Sequence, residues 1–120
     1  MFKVIIAGGR NYLNFFELSA VCDFYLKEKK EIEVVSGCAS GADSLGVKYA
    51  MLKGYSVSKF PADWDKHGKS AGYKRNTEMA EYADALIAFW DGESKGTKHM
   101  IDIMTGLKKE LRTFRYDKKN

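Results

Sequence analysis

Cysteine and histidine are scarce in this sequence, and the best-known short motifs of nucleotide and acyl chemistry are missing. There are two cysteines, Cys22 and Cys38, and two histidines, His67 and His99, among 120 residues. No CxxC pair and no Cys/His ligand spacing occurs, so no metal site is expected. Cys22 sits in an apolar helical pattern and Cys38 in a glycine-rich loop. No secretory leader is evident, so a structural disulfide is not expected and the protein reads as cytoplasmic. The apolar run Met1 to Ala7 is far too short to cross a bilayer, which excludes it as a membrane span and makes it a buried strand. The P-loop pattern GxxxxGK[ST] is absent, because the stretch Gly37 to Gly41 lacks both the lysine and the spacing. GxGxxG is absent too, and so is the nucleophile elbow GxSxG. Ser36 and Ser40 have no obvious histidine partner. His67 and His99 each stand alone and read as surface residues rather than catalysts.

What is present is an ordinary globular composition, 45% apolar, in a chain long enough for one domain with its own core. The net charge is +4. Residues 108–120 supply the whole excess through Lys108, Lys109, Arg112, Arg115, Lys118 and Lys119 against Glu110 and Asp117. Residues 1–107 are balanced. The basic pI therefore describes a C-terminal tail, with its end at about 117–120. It does not describe a nucleic-acid-binding face, and a nucleic acid partner is not expected.

Strand and helix periods alternate along the chain. Phe2 to Ala7, Ile32 to Ser36, Tyr55 to Phe60, Ala85 to Trp90 and Leu111 to Tyr116 read as five strands. Between them, four helices are expected. The first covers residues 14–29, with Asn14 as N-cap and Phe15, Leu18, Cys22, Tyr25 and Leu26 inward. The second is marked by Ala42, Leu45, Tyr49 and Leu52 and stops near Gly54. The third covers 70–82, with Asn76, Met79 and Ala83 on one face. The fourth carries Thr97, Met100, Ile101, Met104 and Leu107. A long loop, Pro61 to Lys69, precedes the third helix. This alternation predicts a doubly wound α/β domain over residues 1–120, with a five-stranded parallel sheet in the order 3-2-1-4-5.

In such sheets ligands bind beyond the carboxyl ends of the strands. Three strands end in glycine-bearing loops: Gly8-Gly9-Arg10-Asn11 after the first, Ser36 to Asp43 after the second, and Asp91 to Thr97 after the fourth. A parallel sheet places all three on one edge. There glycine lets backbone N–H groups approach an anion, and two helix N-termini face the same cleft. A phosphate site is expected. Arg10 follows a strand directly and can reach into it, and Arg75-Asn76, just after the long loop, can fold over a ligand. Lys69, Lys74 and Lys95 are further cations near the same edge. Trp64 in the long loop and Trp90 at a strand end offer flat surfaces on which a base can stack. Asp43, in the first turn of the second helix, suits a ribose hydroxyl or acid/base chemistry. Asp91 is a second ribose candidate, and Glu78 is a third acid, close behind Arg75.

The stretches VIIAGGRNY (4–12), VVSGCASGADSLGVKYA (34–50), FPADWDKHGKSAGYKRNTEM (60–79) and ALIAFWDGESKGTKHMI (85–101) resemble the SLOG superfamily, in the branch of small stand-alone proteins related to YspA and YpsA. The resemblance implies a Rossmann-like fold and a site for nucleotides or their derivatives, such as ADP-ribose-like molecules. It implies no further cofactor. By motif it assigns to that site Gly8, Gly9 and Arg10, then Ser36, Gly37, Gly41 and Asp43, then Arg75 and Asn76, then Asp91, Gly92, Ser94, Gly96 and Thr97. Ser40 and Lys95 fall within the same loops. Proteins of this kind often pair through helices, which leaves the oligomeric state, monomer or homo-oligomer, open. Some relatives are phosphoribohydrolases with the pattern PGGxGTxxE and a catalytic arginine before it. Here Gly96-Thr97 match and Arg75 can stand for the arginine, but Met100 occupies the place of the catalytic glutamate. The acids left to stabilise an oxocarbenium-like transition state are Asp43 and Glu78. The resemblance thus implies a nucleotide-binding sensor or sequestering module, with a nucleotide N-glycosidase as the alternative and single-stranded DNA binding as the second.

Overall fold

A computed structural model describes residues 1–117. The strands are β1 (Phe2–Gly8), β2 (Ile32–Ser36), β3 (Ser56–Lys59), β4 (Ala85–Trp90) and β5 (Glu110–Arg115). All pair in parallel, in the order β3-β2-β1-β4-β5. The helices are α1 (Phe15–Leu26), α2 (Ala42–Lys53), α3 (Trp64–His67), α4 (Ala71–Tyr82) and α5 (Lys95–Gly106), with a 3₁₀ turn at Gly68–Ser70. The architecture is the Rossmann-like α/β fold expected from the alternation.

The central strands are apolar on both faces because each face meets helices. Val4 and Ile6 of β1, with Val34 and Ile87, pack against Leu18, Cys22 and Leu26 of α1 and Ala42, Tyr49 and Ala50 of α2. The alternate residues Ile5 and Ala7, with Val35, Leu86 and Ala88, meet Met79 and Ala80 of α4 and Met100 and Met104 of α5. The period of two along each strand thus divides one sheet between two helix layers.

Several details differ from the sequence reading. α1 ends at Leu26, where Lys29 donates its backbone N–H to the Leu26 carbonyl and Glu31 takes a positive φ of 52°. Leu52 and Leu107, expected to face inward, are exposed; Gly46 and Ala50 hold the buried face of α2 instead. The long loop is not without structure: Asp63 caps α3 by accepting the Lys66 N–H at 3.1 Å. Both cysteines are free thiols, Cys22 buried and Cys38 exposed, and burial pushes the Cys22 thiol up to about 12. No helix among the described residues is long and apolar enough to cross a membrane, and no group of acidic, His or Cys side chains there could hold a metal ion.

Much of the basic segment that the charge count assigned to a C-terminal tail is built into the fold. Lys109 donates from Nζ to the carbonyls of Ala80 (2.7 Å), Glu81 (3.1 Å) and Ala83 (2.7 Å) and so caps the C-terminus of α4. Arg112 lies over the Tyr25 ring and Arg115 over Trp90. Of the tail expected at about 117–120, residues 118–120 lie outside the described residues. Replacing Lys109 with Met removes three charge-assisted bonds from the carbonyls that end a helix. A loss of about 2 kcal/mol is expected, seen as a Tm lowered by roughly 8 °C. The neighbouring Lys108→Ala serves as the control; an equal fall there would refute the capping role.

Candidate functional site

At the carboxyl edge of the sheet, between the ends of β1, β4 and β5, lies a cleft of about 1260 Å³. Gly8, Gly9 and Arg10 line it from the first loop, Asp43 from α2, Arg75 and Asn76 from α4, and Asp91, Ser94, Gly96 and Thr97 from the loop into α5. A smaller cleft of about 360 Å³ adjoins it, lined by Gly37, Cys38, Ser40, Pro61 and Trp64. Arg10, Ala39 and Arg75 line both and form the wall between them.

The sequence-predicted residues therefore separate into three groups. Ten converge on the larger cleft. Gly37, Ser40 and Trp64 face the smaller one, where Trp64 is 52% exposed. Ser36, Gly41, Glu78, Trp90, Gly92 and Lys95 line neither. Ser36 is fully buried, and its Oγ accepts the Cys38 N–H at 3.1 Å, so it shapes the loop from beneath. Trp90 is also committed to structure: its indole N–H donates to the Ser94 carbonyl at 3.1 Å, and Arg115 covers its ring. Stacking of a base on Trp90 is therefore set aside. Glu78 and Lys95 are exposed on the outer faces of their helices. Glu78 is withdrawn as a candidate acid.

Gly41 acts through conformation. It adopts φ 74°, and a Cβ there would strike the backbone carbonyls of Gly9 and Arg10. The Ala42 N–H donates to the Gly9 carbonyl at 3.1 Å, so the start of α2 is bolted to the first loop. Gly37 acts through close approach: a Cβ would lie 2.8 Å from an Arg75 nitrogen and 2.9 Å from Asp43 Oδ2.

Asp43 is 5% exposed and accepts the Ala39 N–H at 3.3 Å. Burial pushes its carboxyl above the ordinary carboxylate range; the backbone bonds from Ala39 and Gly8 and the charges of Arg75 and Arg10 pull only part of the way back. A carboxyl with a raised native pKa adds stability at low pH, where the unfolded group near 3.8 is also protonated, and loses it as pH rises through the native value. Asp43→Asn is therefore expected to melt above the wild type at pH 8 and level with it near pH 3. A gap that instead widens toward acid would refute the raised pKa.

Arg75 is held by the protein itself. Its Nε donates to Asn76 Oδ1 at 3.0 Å, and one terminal nitrogen donates to the Gly37 carbonyl. Asn76, 6% exposed, spends its amide nitrogen on the Gly96 carbonyl (3.4 Å) and on His99 Nδ1 (3.1 Å). At the start of α5, Asp91 Oδ1 accepts the N–H groups of Glu93 and Ser94 at 2.8 Å each, and the hydroxyls of Ser94 and Thr97 lie 3.2 Å apart. The first turn of α5 contains no acidic residue, so the carboxylate nearest its positive end is that of Asp91 in the loop before it. In α2 that place is taken by Asp43.

Sequence reasoning missed one wall of the cleft. Tyr12 and Glu17 line it from the first loop and α1, and Phe114, Arg115, Tyr116 and Asp117 from β5 and beyond. Tyr12 stacks on Phe89 at 5.2 Å and tilts against Tyr116 at 4.8 Å, while its hydroxyl donates to Glu17 at 2.7 Å. Burial raises both phenols, reinforced by Glu17 at Tyr12 and by Asp91 at Tyr116, so both remain protonated. Parallel order was the available signal, since it carries the end of every strand to this edge.

Gene 61 protein of Mycobacterium phage D29 is 36% identical over 108 residues, which cover 84% of this chain and 86% of the phage protein. No solved structure matches. Residues 2–67, more than half of the chain, match the sequence model of the YAcAr proteins; that stretch holds the first two glycine loops and Trp64, while Arg75 and the third loop lie beyond it. With its five parallel strands and a cleft at their carboxyl ends, the chain belongs to the YspA, cpYpsA-related SLOG family.

Proposed function

We propose that this protein binds a phosphorylated nucleotide or nucleotide-derived metabolite in the larger cleft, as a sensor or sequestering module. The observation that carries the reading is the convergence of Arg10, Arg75 and the start of α5 on one cleft at the carboxyl edge. The phosphate lies against Ser94, Gly96 and Thr97, where the α5 dipole is positive and no acidic side chain of the helix neutralises it. Arg10 and Arg75 supply the cations. The base, or the distal group of an ADP-ribose-like ligand, reaches past Arg75 to Trp64 and Pro61 in the smaller cleft.

One observation favours a second reading. Asp43 is a buried carboxyl with a raised pKa that faces the cleft beside Arg75, as a general acid for N-glycoside cleavage would be. Met100, which aligns with the missing glutamate, also lines the cleft and supplies no charge there.

A thermal-shift panel of AMP, ADP, ADP-ribose, cyclic ADP-ribose, NAD, GTP and ribose-5-phosphate tests both readings, each mixture being chromatographed afterwards for free base. A compound at a hundred times its Kd stabilises by about 2.7 kcal/mol, a shift of roughly 10 °C for a domain of this size. A shift with the compound recovered intact supports the binding module. Base release that Asp43→Asn abolishes supports the glycosidase. No shift and no release across the panel would remove the nucleotide reading.

A further inference from the structure

We infer that His99 is a positioning residue for the phosphate-binding cation: through Asn76, its unprotonated Nδ1 fixes the direction in which Arg75 faces the cleft. The inference rests on the nucleotide reading of the cleft for its functional consequence, but not for its geometry.

The hydrogen-bond valences leave one arrangement. Arg75 Nε can only donate, so the Asn76 atom 3.0 Å from it is the carbonyl oxygen. The amide nitrogen then faces the Gly96 carbonyl, which can only accept. That nitrogen has no lone pair to offer, so His99 Nδ1, 3.1 Å away, must be the acceptor, and the imidazole carries its proton on Nε2. His99 itself lines neither cleft.

The surroundings favour this neutral form. On α4 the imidazole meets the edge of the Tyr73 ring, with centroids 4.5 Å apart, and the Asn76 amide. On its own helix the nearest acid is Asp102, which is already paired with Lys98 at 2.7 Å. Burial lowers the His99 pKa below 6.5, and Asp102 recovers only part of that. Protonation would set an N–H against the amide nitrogen of a buried asparagine. Turning the amide over relieves that contact, but it presents a donor to Arg75 Nε and an oxygen to the Gly96 carbonyl. Swinging the imidazole away instead removes one of the two bonds from the Asn76 amide to α5. The flip frees Arg75 from Asn76, and the swing leaves the Asn76 amide held only by the Gly96 carbonyl at 3.4 Å, so ligand affinity falls as pH drops through the His99 pKa.

The test uses the full chain, labelled with ¹⁵N, and ADP-ribose as probe, because its diphosphate keeps its charge between pH 5 and 8. Without ligand, the His99 ring nitrogens are expected to report the Nε2–H tautomer at neutral pH, and the Arg75 Nε–H signal to move with the His99 titration midpoint. An Nδ1–H tautomer, or an Arg75 signal indifferent to that midpoint, overturns the inference. With ligand, wild-type affinity is expected to fall as pH drops through the His99 titration midpoint measured without ligand, by about tenfold once the imidazole is fully protonated, the scale of one lost charge-assisted bond. His99→Leu loses about as much at every pH. His99→Asn, whose amide oxygen supplies an acceptor that cannot take up a proton, restores the affinity and flattens the pH profile; an unrestored affinity refutes the acceptor role. Should ADP-ribose fail to bind at any pH, the reading of the cleft as its site falls, while the tautomer and the Arg75 signal still decide the role of His99.

Discussion

Gly41→Ala is expected to cost about 3 kcal/mol, lowering Tm by roughly 12 °C, and to take ligand binding with it. Two terms add. The residue adopts φ 74° and ψ −128°, a region open in practice only to glycine. The new methyl would also meet the carbonyls of Gly9 and Arg10, which are backbone and cannot rotate aside. Relief requires the first loop to draw away from α2, breaking the bond from Ala42 to Gly9 and displacing Arg10. Gly106, in α5, provides the contrast, since an added Cβ there meets nothing within 4 Å. Gly106→Ala is expected to be neutral or to stabilise by up to about 1 kcal/mol. If both variants melt within about 2 °C of the wild type, the described joint between the first two loops is wrong.

Arg75→Ala is expected to weaken nucleotide binding about 30- to 100-fold, equivalent to about 2–3 kcal/mol for a cation bonded directly to phosphate. Arg75→Lys is expected to recover little. One ammonium cannot serve Asn76 Oδ1, the Gly37 carbonyl and a ligand from the directions that the guanidinium fork spans. The same substitution has a second signature. Arg75 is one of the charges that hold the buried Asp43 carboxyl down, so its removal raises that pKa further. The Arg75→Ala protein should therefore lose more stability at pH 8, where Asp43 must ionise, than at pH 4. Melting curves at the two pH values measure this without any ligand. Equal losses at both would mean that Arg75 and Asp43 do not interact, and unchanged affinity would place the phosphate elsewhere.

The sheet was legible because its inner strands are buried on both faces. Runs such as VIIA and ALIAFW leave no polar side for solvent, and alternation with helical periods left few topologies. The errors fall where burial is partial. Leu52 and Leu107 sit at helix ends beyond the sheet, where an apolar residue at the right spacing has nothing left to cover. α3 is one turn long, too short for any period, and only its cap at Asp63 marks it. For the site, the glycine loops pointed to the correct edge, but spacing could not separate side chains that line the cleft from those that build its frame. Ser36, Gly41 and Trp90 share motifs with lining residues and serve the loops instead. The wall from β5 was hidden because its charges were counted together with those of the terminus. His99 read as solitary because its partner is 23 positions earlier, on the neighbouring helix.

The order of the strands has a consequence for synthesis. β1 is the first of the five strands of this sheet to be made and lies at its centre, yet one of its neighbours, β4, pairs Ala85 with Val4. β5, which completes the cleft through Arg115, Tyr116 and Asp117, comes later still. A nascent chain that has emerged only through α4 holds β1, β2 and β3, with an open, apolar edge on β1 and half of a binding site. That edge must remain unpaired until β4 follows, which ends at Trp90, eight residues beyond the end of α4, on the order of a second at ordinary elongation rates. On the function proposed for the cleft, ligand acts on chains that already hold β5, slowing their unfolding rather than speeding their formation.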